Sequence, residues 1–201
     1  MKSKLLLICC IFCLQLGFSQ EIYVHIGENF TSYDYKNSSG QTNSNIKSST
    51  GNAYELGVDY GLNEKFTYSG SLTWNQYNAK GSNGVSLYAW NTNYFGIQNA
   101  ISYTVLKTRN ELEIKLKAGV NTSTIVNGQQ LLNNNYYDLT QYDEFKGIVI
   151  QPLIGMQLKY TVTDYLSLSF NYIYSKSLPK TGLESLSFGT NQVQLGLHFP
   201  L

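Results

Sequence analysis

Bulky apolar and small polar residues alternate along most of this chain. The clearest run, L-S-L-S-F-N-Y-I-Y-S, sets Leu166, Leu168, Phe170, Tyr172 and Tyr174 on one face and Ser167, Ser169, Asn171, Ile173 and Ser175 on the other. That is the period-2 signature of a β-strand with two unlike faces. Eight segments carry the pattern: Glu21 to Tyr35, Gly51 to Leu62, Lys65 to Asn78, Leu87 to Leu106, Glu111 to Ser123, Lys146 to Thr161, Asp164 to Ser177 and Phe188 to Phe199. Nothing after residue 20 predicts a helix of useful length.

The connections alternate in length. Those around Asn63-Glu64, Lys107 to Asn110 and Val162-Thr163 are tight, whereas Lys36 to Thr50, Ala79 to Ser86, Thr124 to Phe145 and Leu178 to Ser187 are long and rich in Asn, Ser, Gly and Thr. In an antiparallel array this puts every tight turn at one end and every long loop at the other, the asymmetry of membrane barrels. Greek-key crossovers in a soluble sandwich give no such regularity.

The two faces indicate which side is wet. The second strand sets Tyr54, Leu56, Val58, Tyr60 and Leu62 against Glu55, Gly57, Asp59 and Gly61, and the fifth sets Leu112, Ile114, Leu116, Ala118 and Val120 against Glu113, Lys115, Lys117, Gly119 and Asn121. Across all strands the polar face is mostly Gly, Ser, Thr, Asn and Gln, groups small enough for a narrow interior. Hydrocarbon offers backbone groups no hydrogen-bond partner, so a sheet that meets it must close on itself. The pattern therefore predicts an all-β fold, a closed antiparallel up-and-down eight-stranded transmembrane β-barrel; a sandwich with its apolar faces inward is the alternative.

Aromatic residues cluster near both strand ends. Tyr60, Tyr68, Tyr103, Tyr160, Tyr165 and Phe199 fall toward the tight turns, and Tyr54, Trp74, Tyr77, Tyr88, Trp90, Phe95 and Tyr172 toward the loops, as two interfacial belts would require.

The first 19 residues are of a different kind. Lys2 and Lys4 precede an apolar run from Leu5 to Leu14 and small residues at Gly17 and Ser19, the layout of a cleaved secretory signal with processing before Gln20. The expected organisation is thus a signal over 1–19 and one barrel domain over 20–201. Cys9, Cys10 and Cys13 all lie in the signal, and Ile8, Cys9 and Phe12 do not provide the small residue an acylated cysteine needs before it. The exported chain then has no disulfide or thiol chemistry. Taking Lys2 and Lys4 from the 14 basic residues leaves 12 against 13 acidic ones, a net charge near −1. No basic stripe marks a nucleic-acid partner. Seventeen Tyr, three Pro and a mean hydropathy of −0.22 suit strands and polar loops.

Strand number, loop asymmetry and the ending Q-V-Q-L-G-L-H-F-P-L over the last ten residues together resemble the small eight-stranded outer-membrane barrels of Gram-negative bacteria, the OmpA transmembrane domain and OmpX among them. The resemblance covers Gln20 to Leu201. It implies the outer membrane as location, outer-membrane lipids and lipopolysaccharide as surroundings, and barrel-insertion machinery as a partner during biogenesis. In that family an alternating terminal strand is the insertion signal; its counterpart here is Val193, Leu195, Leu197 and Phe199. Pro200 and Leu201 extend past Phe199, so the terminal residue that is read is either Phe199 or Leu201.

Candidate chemistry follows from the inward charges. Lys115, Lys117 and Lys159 face Glu55 and Asp59 across the axis, with Glu113 also inward, and unpaired buried charge is costly. A salt-bridged, side-chain-filled lumen is expected, with a narrow channel for small polar solutes as the rival. His25 and His198 point inward near the tight turns; with no cysteine and no carboxylate clearly beside them, hydrogen bonding is the reading, and no metal or cofactor is expected. No histidine lies at the loop end, so a Ser-His enzyme of lipid-modifying type has no base there, and no catalytic residue is assigned. The third loop, with Tyr136, Tyr137, Asp138, Tyr142 and Phe145, has the composition of a recognition surface for an unspecified extracellular ligand. The function expected is a structural or surface-interaction role through the long loops.

Overall fold

The computed structural model describes residues 20–36, 39–42, 45–82, 87–109, 111–181 and 185–201; the expected signal over 1–19 lies outside them. The elements are β1 (Gln20–Lys36), β2 (Ile46–Gly61), β3 (Phe66–Gln76), β4 (Ala79–Ser82), β5 (Leu87–Lys107), β6 (Leu112–Leu132), β7 (Asn135–Asp138), a single 3-10 turn (Leu139–Gln141), β8 (Ile148–Thr163), β9 (Leu166–Lys176), β10 (Lys180–Thr181) and β11 (Ser185–Pro200). Among the described residues no helix is long and apolar enough to cross a membrane.

Eight long strands pair antiparallel in a ring. Each meets its neighbour in chain order, β1 with β2, then β3, β5, β6, β8, β9 and β11, and β11 returns to β1 in a register running from Glu21↔Pro200 to Lys36↔Ser185. The short strands β4, β7 and β10 extend the sheet at the loop end, β4 between β2 and β5, β7 on β6 and β10 on β11.

The predicted long loops are therefore partly strand. β6 continues through Thr124 to Leu132, turns at Asn133 and Asn134 with φ of 47° and 69°, and returns in β7. Two left-handed residues between paired strands make the turn whose twist matches a hairpin, and Asn tolerates that conformation. β2 likewise begins at Ile46, five residues before the expected start.

Burial inverts the usual order. Leu195 is 66 % exposed and Ile154 63 %, while Gln151 and His198, which point into the ring, are 0 % exposed. Outward positions carry the apolar band, and inward positions carry His25, Asn29, Glu55, Ser71, Thr73, Gln98, Asn121, Gln157, Asn171 and Gln194, all buried. Small residues make room for large ones on the inner wall. A Cβ on Gly57 would come within 2.5 Å of the Tyr23 ring, and one on Gly196 within 2.3 Å of the His25 imidazole.

The interior has two zones. Toward the loops lies an apolar cluster of Tyr33, Tyr77, Trp90, Tyr94, Leu139, Phe145, Leu186 and Phe188; toward the tight turns the side chains are polar and charged.

Candidate functional site

The polar zone is built from alternate residues of adjacent strands. Period-2 geometry sends Glu21, Tyr23 and His25 of β1 to one face, and the β1–β2 register sets Glu21 beside Asp59 and His25 beside Glu55. Glu55 gathers four partners: Tyr23, Ser71 and Gln98 each donate to its Oε1 at 2.8 Å, and His25 Nδ1 lies 3.3 Å from its Oε2. Tyr23 stacks on His25 with centroids 4.4 Å apart. The Lys117 ammonium, from the opposite side of the ring, stands 5.8 Å from the centre of the Tyr23 ring.

The lysines make their ion pairs with carboxylates other than the expected Glu55 and Asp59, one of them reaching across the ring from β8 to β1. Lys115 bonds Glu113 two residues away on its own strand at 3.1 Å, Lys107 reaches the same Glu113 at 2.7 Å, and Lys159 pairs with Glu21. Glu55 is held mainly by neutral donors, and Asp59 accepts from Ser69 at 2.5 Å. Hydroxyl and amide groups on nearby strands reach these carboxylates and satisfy their oxygens by hydrogen bonds. Glu55, Asp59, Lys115, Lys117 and Lys159 are nonetheless all buried inside the ring.

The expectation that no carboxylate stands beside the histidines is also corrected. His198 Nε2 lies 3.3 Å from His25 Nε2 and 2.9 Å from Ser169 Oγ, while His198 Nδ1 faces Glu21 at 3.5 Å and Asp59 at 3.9 Å. Glu21, Tyr23 and Gln98 are among the interior residues missing from the sequence reading; Glu21 and Tyr23 share the parity of His25. A cavity of about 480 Å³ lined by Glu21, Asp59, Glu113, Lys115 and Lys159 opens at the tight-turn end.

At the other end, the third loop folds over the ring. Phe145 is buried edge-on against Trp90, centroids 5.4 Å apart, and Leu139 of the 3-10 turn packs in the same cluster. Phe145 therefore leaves the proposed recognition set, because its ring is needed to seal apolar surface. Trp90 and Tyr77 likewise point inward and leave the outer aromatic belt, which keeps Tyr54, Trp74, Phe95 and Tyr172 on the outside. Tyr136, Tyr137 and Tyr142 remain exposed. Asp138 caps the 3-10 turn, accepting from the Thr140 hydroxyl at 2.6 Å and its amide at 2.8 Å; these bonds hold its carboxyl below the ordinary aspartate value. Val193, Leu195, Leu197 and Phe199 lie along the outer face of β11.

No family model matches the chain, and no curated protein matches its sequence. Solved structures do match its shape. Neisserial surface protein A superposes with a TM-score of 0.52 at 13 % identity, over 89 % of this chain and 96 % of that one. A major outer membrane protein from Thermus thermophilus gives 0.54 at 11 %, over 90 % and 99 %. The outer membrane protease OmpT from Escherichia coli gives 0.52 at 7 %, over 92 % and 99 %. Identities this low speak to architecture alone. The chain has the all-β antiparallel fold of outer-membrane barrel proteins, in agreement with the resemblance read from its sequence.

Proposed function

We propose that this protein resides in the outer membrane of a Gram-negative cell as a closed, up-and-down, eight-stranded transmembrane β-barrel with a side-chain-filled lumen, and that it serves as a structural or surface-interaction protein through its loop end. One observation carries the reading: large apolar side chains cover the outside of the ring while buried polar ones fill it. Water would penalise that arrangement and hydrocarbon rewards it. Outer-membrane lipids and lipopolysaccharide surround the apolar band, insertion machinery reads β11, and Tyr136, Tyr137, Asp138 and Tyr142 form the face offered to an extracellular ligand.

A filled lumen is supported by contacts that bridge strands far apart in the ring. Tyr77 donates to Gln151 at 3.0 Å, Gln192 to Asn75 at 3.2 Å, and the aromatic cluster seals the loop end. The second reading, a narrow channel for small polar solutes, draws on the cavity at the opposite end. Planar-bilayer recording of the purified protein separates the two. The filled barrel gives no large steady open state; a stable conductance assigns the channel. Recovery of the processed chain as a freely soluble periplasmic protein would overturn both.

A further inference from the structure

We propose that Glu21, Asp59 and His198 form a binding site for one divalent transition-metal ion of the zinc class, at the tight-turn end of the interior. The site goes beyond the structural role above and stands on its own geometry.

His198 is fully buried, and its two ring nitrogens have different surroundings. Nε2 is occupied by Ser169 and His25. In the tautomer that puts a proton on His25 Nδ1 toward Glu55 and one on His198 Nε2 toward His25 and Ser169, the lone pair of His198 falls on Nδ1. That atom has no hydrogen-bond partner among the described residues. It looks instead at two carboxylate oxygens, Glu21 Oε2 at 3.5 Å and Asp59 Oδ2 at 3.9 Å. In that tautomer the Nδ1 lone pair and the two carboxylate oxygens converge as a donor set for a cation.

The spacing suits a metal ion. A charge-assisted N–H···O bond would close to about 2.7–2.9 Å, well short of either separation. An ion bonded at about 2.0–2.2 Å to nitrogen and oxygen sets tetrahedral ligands about 3.3–3.6 Å apart. The three donor atoms all lie within 4.8 Å of one another, so small side-chain movements complete the set. Two of the three ligands, Glu21 and Asp59, line the cavity at this end, which provides an entry path and room for a water ligand.

The second oxygen of each carboxylate is already held. Lys159 bonds Glu21 Oε1 and Ser69 bonds Asp59 Oδ1, leaving Oε2 and Oδ2 aimed at the imidazole. Such outer partners are what orient metal ligands in built sites. One imidazole with two carboxylates and no thiolate suits a borderline cation such as Zn²⁺ over Cu(I), and the nitrogen selects against Ca²⁺ and Mg²⁺.

The test uses untagged, chelator-stripped mature protein folded in detergent micelles, with Zn²⁺ titrated against a chromophoric chelator and Co²⁺ used as a spectroscopic probe. The wild type binds one equivalent, and Co²⁺ gives the intense visible bands of a tetrahedral site. His198→Gln, Asp59→Asn and Glu21→Gln each weaken binding at least about 100-fold, and Ser69→Ala weakens it about 10-fold. Heat-modifiable gel mobility verifies that each variant is folded, and the three ligand variants test the site separately should one fail to fold. Folded wild type that takes up no stoichiometric Zn²⁺ overturns the proposal. So does undiminished affinity in folded His198→Gln, which would place the ion on loop carboxylates.

Discussion

Trp90 of β5 and Phe145 of the third loop meet edge to face, with ring planes at 89° and centroids 5.4 Å apart. This contact fastens an external segment to the inside of the ring, and Leu139 and Tyr33 pack in the same cluster. Truncating a buried aromatic costs about 3–5 kcal/mol. Phe145→Ala is expected to lower stability by about 3 kcal/mol and to open residues 139–147 to protease, while Tyr136→Ala, on an exposed ring, leaves both unchanged. Urea titration in micelles and limited proteolysis read the two effects.

Gly196 and Gly189 lie on the same strand and predict opposite outcomes. A methyl group on Gly196 would press on His25 and on Ser169 Oγ, both at 2.3 Å, whereas at Gly189 the nearest atoms are 3.8 Å away. Overpacking of this kind costs about 1–3 kcal/mol. Gly196→Ala should shift the urea midpoint downward, and Gly189→Ala should leave it in place or raise it slightly by restricting the unfolded chain.

Leu195, outward on β11, distinguishes hydrocarbon from water as the surrounding medium. In a bilayer, Leu195→Arg costs about 2–4 kcal/mol at mid-depth, and the same change at Tyr165 beside a tight turn costs about 0–1 kcal/mol. Were the outer face bathed in water, both substitutions would be near neutral. Folding titrations into lipid vesicles measure the difference.

Glu55 holds the centre of the polar zone. Removing its carboxylate leaves Tyr23, Ser71 and Gln98 without their acceptor in a buried setting. Glu55→Ala is expected to destabilise by about 3 kcal/mol, against almost nothing for Glu64→Ala in an exposed turn, by the same urea measurement.

Much of the fold was legible because hydrocarbon disciplines every outward position between the two interfaces. Leu166, Leu168, Phe170 and Tyr172 had to share a side, and so did their counterparts on seven other strands. Beyond the band that constraint ends. Thr124 to Leu132 of β6 mixes Ile125, which packs against the aromatic cluster, with Thr124, Asn127, Gln129 and Gln130, shows no sustained alternation and reads as loop, although it is strand. Aromatic type alone does not say in or out, which is why Trp90 and Tyr77 read as belt residues; the parity of Trp90 with Gln98 and Ser102 on β5 places it inside. The same parity on β1 unites Glu21, Tyr23 and His25. Which carboxylate meets which imidazole depends on the stagger between strands, and that only the paired register supplies.

The seam between β1 and β11 joins residues such as His25 and His198, 173 positions apart. Until that last zipper engages, two ribbon edges carry raw amide and carbonyl groups that an oily medium cannot solvate. Assembly therefore ends in a concerted closing step, and escape from the finished state must unfasten the whole seam together. A seam of this kind sets a barrier to opening, so lifetime in the folded state is a matter of rate as well as of equilibrium.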